Sequence, residues 1–194
     1  LTYSVKAYRI ARAASTGAVI VELHGLNSAY AEQCELIILA GATPVASTKT
    51  YIRSNNFHVM AVGAVNGVAA GNISLQNVGV TQIYNYIGAG LNMELQAGYT
   101  VPAGKVMYIP TWHGGSSGTK PMRIVLRAKS DFHDHSLTQA FHVHDIIVTG
   151  AGDSQHRFDL PIQFPAKCDV KVSAAGIGGT GECGVGFEYW IESA

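Results

Sequence analysis

The sequence is poor in charged residues and has no net charge. Asp, Glu, Lys and Arg make up 13% of its 194 residues, which is about half of their usual share in a soluble domain. The 13 basic residues balance the 13 acidic ones. Binding to nucleic acid or to an anionic membrane requires a basic excess, so we expect neither as a partner. A lone chain with so little charge is poorly soluble, which favours a protein that buries surface against other subunits.

Long apolar runs are also absent. No run approaches the roughly 18 residues that a transmembrane helix needs, and the first fifteen residues, LTYSVKAYRIARAAS, lack the continuous apolar stretch of a secretory signal. The three cysteines, Cys34, Cys168 and Cys183, are scattered and form no CxxC pair. This pattern predicts free, mostly buried thiols in a protein made in a reducing cytoplasm, with a Cys168–Cys183 bridge as the alternative.

The motifs of common enzyme classes are missing. The chain contains no GxSxG elbow, no HExxH pair, no P-loop and no GxGxxG between a strand and a helix. GIGGTGECG at 176–184 lies between two strand patterns, so we interpret it as a hairpin loop. Nothing singles out a pair of carboxylates for glycoside hydrolysis. The sequence therefore predicts a protein that is not an enzyme, with no catalytic residue and no cofactor.

Alternation of apolar and polar residues runs along nearly the whole chain. Valine, isoleucine and aromatic residues fill the alternating segments, and Gly, Asn, Pro or Ser ends almost every one. About twelve segments are strand-like: 19–25, 34–41, 49–63, 72–79, 81–88, 92–102, 105–114, 121–130, 141–150, 154–165, 168–176 and 183–193. Short strands at this spacing predict an all-β fold, an antiparallel β-sandwich of jelly-roll-like type. We expect a single domain over 1–194, with about the first 15 residues as an extended arm.

Half of the eight histidines fall in residues 130–145, SDFHDHSLTQAFHVHD. In a strand, residues i and i+2 point the same way, so each His-x-His pair can present two imidazoles to zinc or iron. The cupin metal motif requires a glutamate after the first pair, but Gln139 stands there, and Asp145 directly follows the second pair. Two interpretations remain: a solvated or interface-lining cluster, which we favour, and a cupin-like metal site. The candidate metal ligands would be His133, His135, His142 and His144.

The aromatic residues permit a sugar-binding face, although aromatic residues on separate strands more often fill a core or a subunit interface. A glycan-binding module predicts a contiguous exposed aromatic cluster near Trp112 or Trp190. The residues concerned are Tyr84, Tyr86, Tyr99, Tyr108, Trp112, Tyr189 and Trp190.

Four motifs, in their order, resemble a family of tailed-bacteriophage virion proteins from marine and freshwater phages, described as structural, head-fibre or capsid-decorating proteins. VIVELHGLNSAYAEQCELIILAG is similar to the family's strand–GLDxxY–strand signature, with Asn27 in place of the usual Asp. TKTYIRSNNFHVMAVGAVNGVAAGNISL is similar to its FxRIxxxxV segment and the glycine-rich strand that follows. YTVPAGKVMYI resembles its FTVPAGK strand pair. HRFDLPIQFPAKCDVKVSA resembles its FxxPLxFPEKTDIxVxA segment, with Ala166 in place of Glu and Cys168 in place of Thr.

The resemblance runs from about residue 18 to the C-terminus and implies a non-enzymatic virion protein assembled in the host cytoplasm. We expect a symmetric homo-oligomer, with a trimer favoured by analogy, that decorates or stabilises a capsid. Its partners would be copies of itself and the major capsid protein or other virion proteins. The alternative is a receptor- or glycan-binding module of a tail fibre or spike, with a host surface glycan as partner. The lesser alternative is the cupin-like metalloenzyme.

Overall fold

The computed structural model describes residues 8–12, 18–41, 43–63, 67–77, 82–118, 120–130, 140–150, 152–178 and 182–194. These residues form fourteen strands joined by turns, and none of them lies in a helix. No helix in the described part of the chain is therefore long and apolar enough to span a membrane. All strand pairs are antiparallel. The prediction of an all-β, antiparallel sandwich is confirmed.

The chain divides into two compact units, an N-terminal unit of residues 2–96 and a C-terminal unit of residues 97–194. The prediction that residues 1–194 form a single domain depends on whether these two units associate, and it stays a prediction. The strands of the N-terminal unit are β1 (Tyr8–Arg12), β2 (Ala18–Leu26), β3 (Glu32–Ile38), β4 (Val45–Ala46), β5 (Arg53–Val62), β6 (Ile73–Asn77) and β7 (Ile83–Ile87).

The N-terminal unit is a sandwich of two sheets, with strand orders β4-β1-β6-β7 and β3-β2-β5. Both sheets contribute apolar side chains to one core, because alternate residues of each strand point inward. The buried core residues are Val21, Leu23, Ile37, Leu39, Tyr51, Phe57, Ala69, Ile73, Leu75 and Ile87. The predicted arm thus contains a strand that pairs within its own unit, while residues 1–7 and 13–17 lie outside the described residues.

The turn between β2 and β3 explains the motif GLNSAY. The Oδ1 atom of Asn27 accepts hydrogen bonds from the backbone N–H groups of Ala29 at 2.9 Å and Ala31 at 3.1 Å. Tyr30 has a φ of 60° and is buried. A Cβ on Gly25 would overlap the carbonyl oxygen of Arg53 on the neighbouring strand. The amide oxygen of Asn27 supplies the acceptor that an aspartate would supply, so the exchange preserves the turn.

The C-terminal unit contains β8 (Gly98–Thr100), β9 (Lys105–Ser116), β10 (Met122–Ser130), β11 (His142–Thr149), β12 (Gly152–Phe164), β13 (Cys168–Gly176) and β14 (Cys183–Ser193). Its two sheets have the orders β11-β10-β13-β8 and β12-β9-β14. This path is that of an eight-stranded jelly roll without its first strand. The buried core residues are Val101, Met107, Ile109, Trp112, Met122, Ile124, Leu126, Ala128, Phe164, Cys168, Val170 and Val172.

Two prolines shape the backbone of this unit. The turn at Pro102-Ala103-Gly104 has Gly104 at a φ of +70°, and Lys105 N–H donates to the carbonyl of Pro102 at 3.3 Å. Pro161 lies in the stretch where the register of the edge strand β12 shifts, since a proline cannot donate to a sheet ladder. All three cysteines are free, but only Cys168 is buried, so the expectation of mostly buried thiols is wrong for Cys34 and Cys183.

Candidate functional site

The histidine-rich stretch is described only in part. His133 and His135 lie outside the described residues, so the first half of the predicted metal site has no structural account. His142 and His144 lie on β11, where the ring of His144 packs edge-on against Phe164 at 5.0 Å between centroids. Desolvation lowers the pKa of His144, and the nearby His142 lowers it further. These two effects favour a neutral ring at His144.

Asp145 is engaged by the facing sheet. Its Oδ2 atom accepts a hydrogen bond from Nε1 of Trp112 at 2.9 Å and pairs with Nδ1 of His156. Trp112 is fully buried, so this bond satisfies the polar atom of a core side chain. His156 stands beside Trp112 on the adjacent strand β12. The carboxylate of Asp145, which directly follows the second histidine pair, therefore links the two sheets of the C-terminal unit by these contacts.

The outer face of the sheet β12-β9-β14 forms a groove. Trp112 and Ile109 of the central strand β9 both fill the core because the register shifts between them, and the residues that alternate with each of them face outward. The outward rows across the three strands are Asp153–Gly115–Gly184, Gln155–His113–Gly186, Arg157–Thr111–Glu188 and Gln163–Tyr108–Trp190. Polar and charged side chains thus line a continuous strip.

Glycines make one end of this strip concave. A cavity of about 860 Å³ lies over Gly114, Gly115 and Gly184. A Cβ on Gly186 would lie 2.9 Å from Nε2 of His113, so the absence of that Cβ lets the imidazole lie flat on the sheet. The carboxylate of Asp153 likewise occupies the space that a Cβ on Gly115 would fill. The cavity therefore presents a carboxylate and an imidazole beside bare backbone, a surface suited to polar ligands.

An aromatic pair stands at the other end of the strip. The rings of Tyr108 and Trp190 stack with centroids 5.2 Å apart and planes at 15°. Trp190 is 41% exposed, and its Nε1 donates to Glu192 at 3.0 Å. A second cavity of about 400 Å³ lies between this pair and the glycine end, lined by Pro110, Thr111, Gln155, Arg157 and Glu188. The expected exposed aromatic cluster is thus present at Trp190 and absent at Trp112, which is a core residue.

Strand β11 presents an apolar row at a sheet edge. It is the terminal strand of its sheet, and β10 is its only paired neighbour among the described strands. Val143, Ile146 and Val148 are exposed by 52%, 50% and 62%. An exposed edge strand with apolar side chains offers unpaired backbone groups to another chain, and most proteins cover or charge such an edge.

Apart from Tyr108 and Trp190, the sequence did not single out the groove residues of this sheet. Its glycines alternate, as Gly184 and Gly186 do in CGVGF, and this spacing was a signal that one sheet face lacks side chains. Asp153, Gln155 and His113 gave no comparable signal, because their proximity depends on the register of β12 against β9.

No family model, no curated protein and no solved structure matches this chain. Its function is therefore inferred from its residues and their geometry.

Proposed function

We propose that the protein is a non-enzymatic virion structural protein of a tailed bacteriophage, which decorates or stabilises the capsid as a homo-oligomer. The apolar edge strand β11 is the observation that carries the proposal, and the partner at this edge is a second copy of the chain. The resemblance of the four sequence motifs supports the virion assignment. The N-terminal unit and the C-terminal unit are both sandwiches, an architecture that is common in capsid proteins.

The charge of the chain supports self-association. A formal net charge of zero leaves little repulsion between copies. Val143, Ile146 and Val148 would move from water into an interface, and each fully buried side chain of this type contributes about 1.5–3 kcal/mol. A standard contact between subunits removes roughly 1,600 Å² from water. In a decoration protein, such contacts hold neighbouring capsid subunits in place.

The first test is the oligomeric state in solution. We expect the wild-type chain to be a homo-oligomer, with a trimer favoured, by light scattering after size-exclusion chromatography. The double variant Ile146→Asp/Val148→Asp should shift the mass to that of a monomer, since burial of two unpaired carboxylates opposes association. Leu160→Asp, on the edge strand β12 of the other sheet, is the matched control and should keep the oligomer. A monomeric wild type would contradict the proposal.

The second measurement is the copy number in purified virions by quantitative mass spectrometry. On the order of hundreds of copies would identify a capsid protein, and about a dozen would identify a tail component. Absence from virions would contradict the assignment.

A glycan-binding module is the second candidate function, because the stacked pair Tyr108–Trp190 adjoins a polar groove. Aromatic faces pack against sugar rings, and Arg157, Glu188 and Gln155 could bind hydroxyl groups. We expect Trp190→Ala to reduce binding to a glycan found on an array at least tenfold, which is about 1.4 kcal/mol. Tyr86→Ala removes a similarly exposed ring from the N-terminal unit and should leave binding unchanged. Glycan binding that survives Trp190→Ala would exclude this face as the site.

A further inference from the structure

The outer face of the sheet β3-β2-β5 brings together metal-ligating side chains from three strands. Glu22 and His24 are two residues apart on the central strand β2 and point outward, since they alternate with the inward-facing Val21 and Leu23. Cys34 of β3 lies opposite His24. His58 of β5 lies opposite Glu22. The register of the sheet thus places two imidazoles, a carboxylate and a thiol on one surface.

These side chains converge closely. Oε2 of Glu22 lies 3.2 Å from Nε2 of His24 and 3.2 Å from Nε2 of His58. The ligand atoms of Glu22, His24 and Cys34 all lie within 4.8 Å of one another. Ligands held about 2.0–2.3 Å from a zinc ion in a tetrahedron are about 3.3–3.8 Å apart. Small side-chain rotations therefore suffice to close Glu22, His24 and Cys34 around one ion, and His58, which lies outside that 4.8 Å group, adjoins Glu22 from the β5 side.

The ring of His58 is oriented by a neighbouring side chain. Its Nδ1 lies 3.0 Å from Oδ1 of Asn56, and an amide oxygen only accepts, so Nδ1 is the nitrogen that carries the hydrogen. Nε2, on the far side of the ring, faces Oε2 of Glu22 at 3.2 Å and Sδ of Met60 at 3.2 Å. Asn56 would orient the ring in the way that outer-shell partners orient histidine ligands.

The ligand types and their exposure select the metal. Imidazole, carboxylate and thiolate together are the ligands of zinc, and they exclude magnesium and calcium, which prefer oxygen. The side chains of Glu22, His58 and His24 are 19%, 24% and 44% exposed, so an ion can enter from solution. We propose that Glu22, His24, Cys34 and His58 bind one Zn²⁺ ion across β3, β2 and β5. This site requires no assembly and goes beyond the proposed function.

Zinc titration of the full-length chain tests the site. The protein is stripped with a chelator, kept reduced, and titrated with Zn²⁺ against a chromophoric competitor. We expect one ion per chain, and with Co²⁺ as the probe a near-ultraviolet charge-transfer band from the thiolate of Cys34. His24→Ala and His58→Ala should each weaken Zn²⁺ binding at least tenfold. Cys34→Ser should abolish the charge-transfer band.

The histidine-rich stretch provides the matched controls. His133→Ala/His135→Ala and His142→Ala/His144→Ala should leave zinc affinity and stoichiometry unchanged. Circular dichroism checks that each variant is folded, and His24→Gln and His58→Gln replace any alanine variant that is not. The proposal is overturned if the stripped protein takes up no stoichiometric zinc. It is also overturned if uptake survives the changes at His24 and His58, or is lost only with the control pairs.

Discussion

At the scale of single residues, Glu94 is a buried carboxyl group whose pKa is raised by folding. It is buried in the N-terminal unit, where Oε1 accepts the backbone N–H of Phe57 at 3.0 Å. Its Oε2 atom has no hydrogen-bond partner among the described residues. Desolvation raises the pKa of Glu94 to about 7, against the opposing effect of the Phe57 N–H. Folding therefore favours the protonated acid.

The free energy of unfolding should consequently depend on pH through Glu94. Below about pH 4.5, the carboxyl is protonated in both states and its contribution is fully present. As the pH rises to about 7, the unfolded chain ionises first, and up to about 3 kcal/mol of stability is lost. Glu94→Gln keeps the acceptor for Phe57 and cannot ionise. We expect it to match the wild type near pH 4 and to be more stable by about 2–3 kcal/mol near pH 8.

Urea unfolding across this pH range measures the difference. Glu32→Gln, at an exposed position of β3, is the control and should keep the pH dependence of the wild type. Parallel curves for the wild type and Glu94→Gln would show that Glu94 ionises normally in the folded protein.

At the scale of elements, the pairing of β2 with β5 depends on a close approach between backbones at Gly25. A Cβ at this position would overlap the carbonyl oxygen of Arg53 and lie 2.8 Å from Cδ1 of Tyr51, a core residue. We expect Gly25→Ala to destabilise the protein by about 2–4 kcal/mol, because the strands must separate or the core must shift. Gly184→Ala is the control, since its Cβ would meet nothing within 4 Å. Thermal unfolding compares the two, and equal melting temperatures would contradict this account.

The strands themselves could be predicted from the sequence, but their partners could not. Period-two patterning is local, and each segment that it singled out overlaps an observed strand. The short β4 was missed because two residues, Val45 and Ala46, show no period. Strand register depends on interactions across the whole sheet. A site built from residues of several strands therefore cannot be predicted from local periodicity.

The histidines show the same limit. His133 and His135 could be named as candidate metal ligands because they are close in sequence. His24 and His58 are brought together only by the pairing of β2 with β5. The pattern Glu22-x-His24 in VIVELHG was an available signal for this site, because residues two apart in a strand lie on the same face. The sequence contained no sign that Cys34 and His58 would join them.

At the scale of the whole molecule, the described residues form two hydrophobic cores, and the residues of each lie within one unit. The N-terminal core runs from Val21 to Ile87 and the C-terminal core from Val101 to Val172. Every described strand pairs only with strands of its own unit. A segment with its own core and its own sheet pairing meets the physical requirements for folding alone.

We therefore expect the fragment 97–194 to fold without the N-terminal unit. Both tryptophans of the chain, Trp112 and Trp190, belong to it, so tryptophan fluorescence reports on this unit in the full-length protein as well. Because Trp112 is fully buried, the folded fragment should emit at shorter wavelength than the unfolded one, and Trp112→Phe should remove most of that shift. In urea, fragment and full-length chain should unfold cooperatively with similar fluorescence midpoints. A fragment without a cooperative transition would show instead that residues 1–194 fold as a single domain.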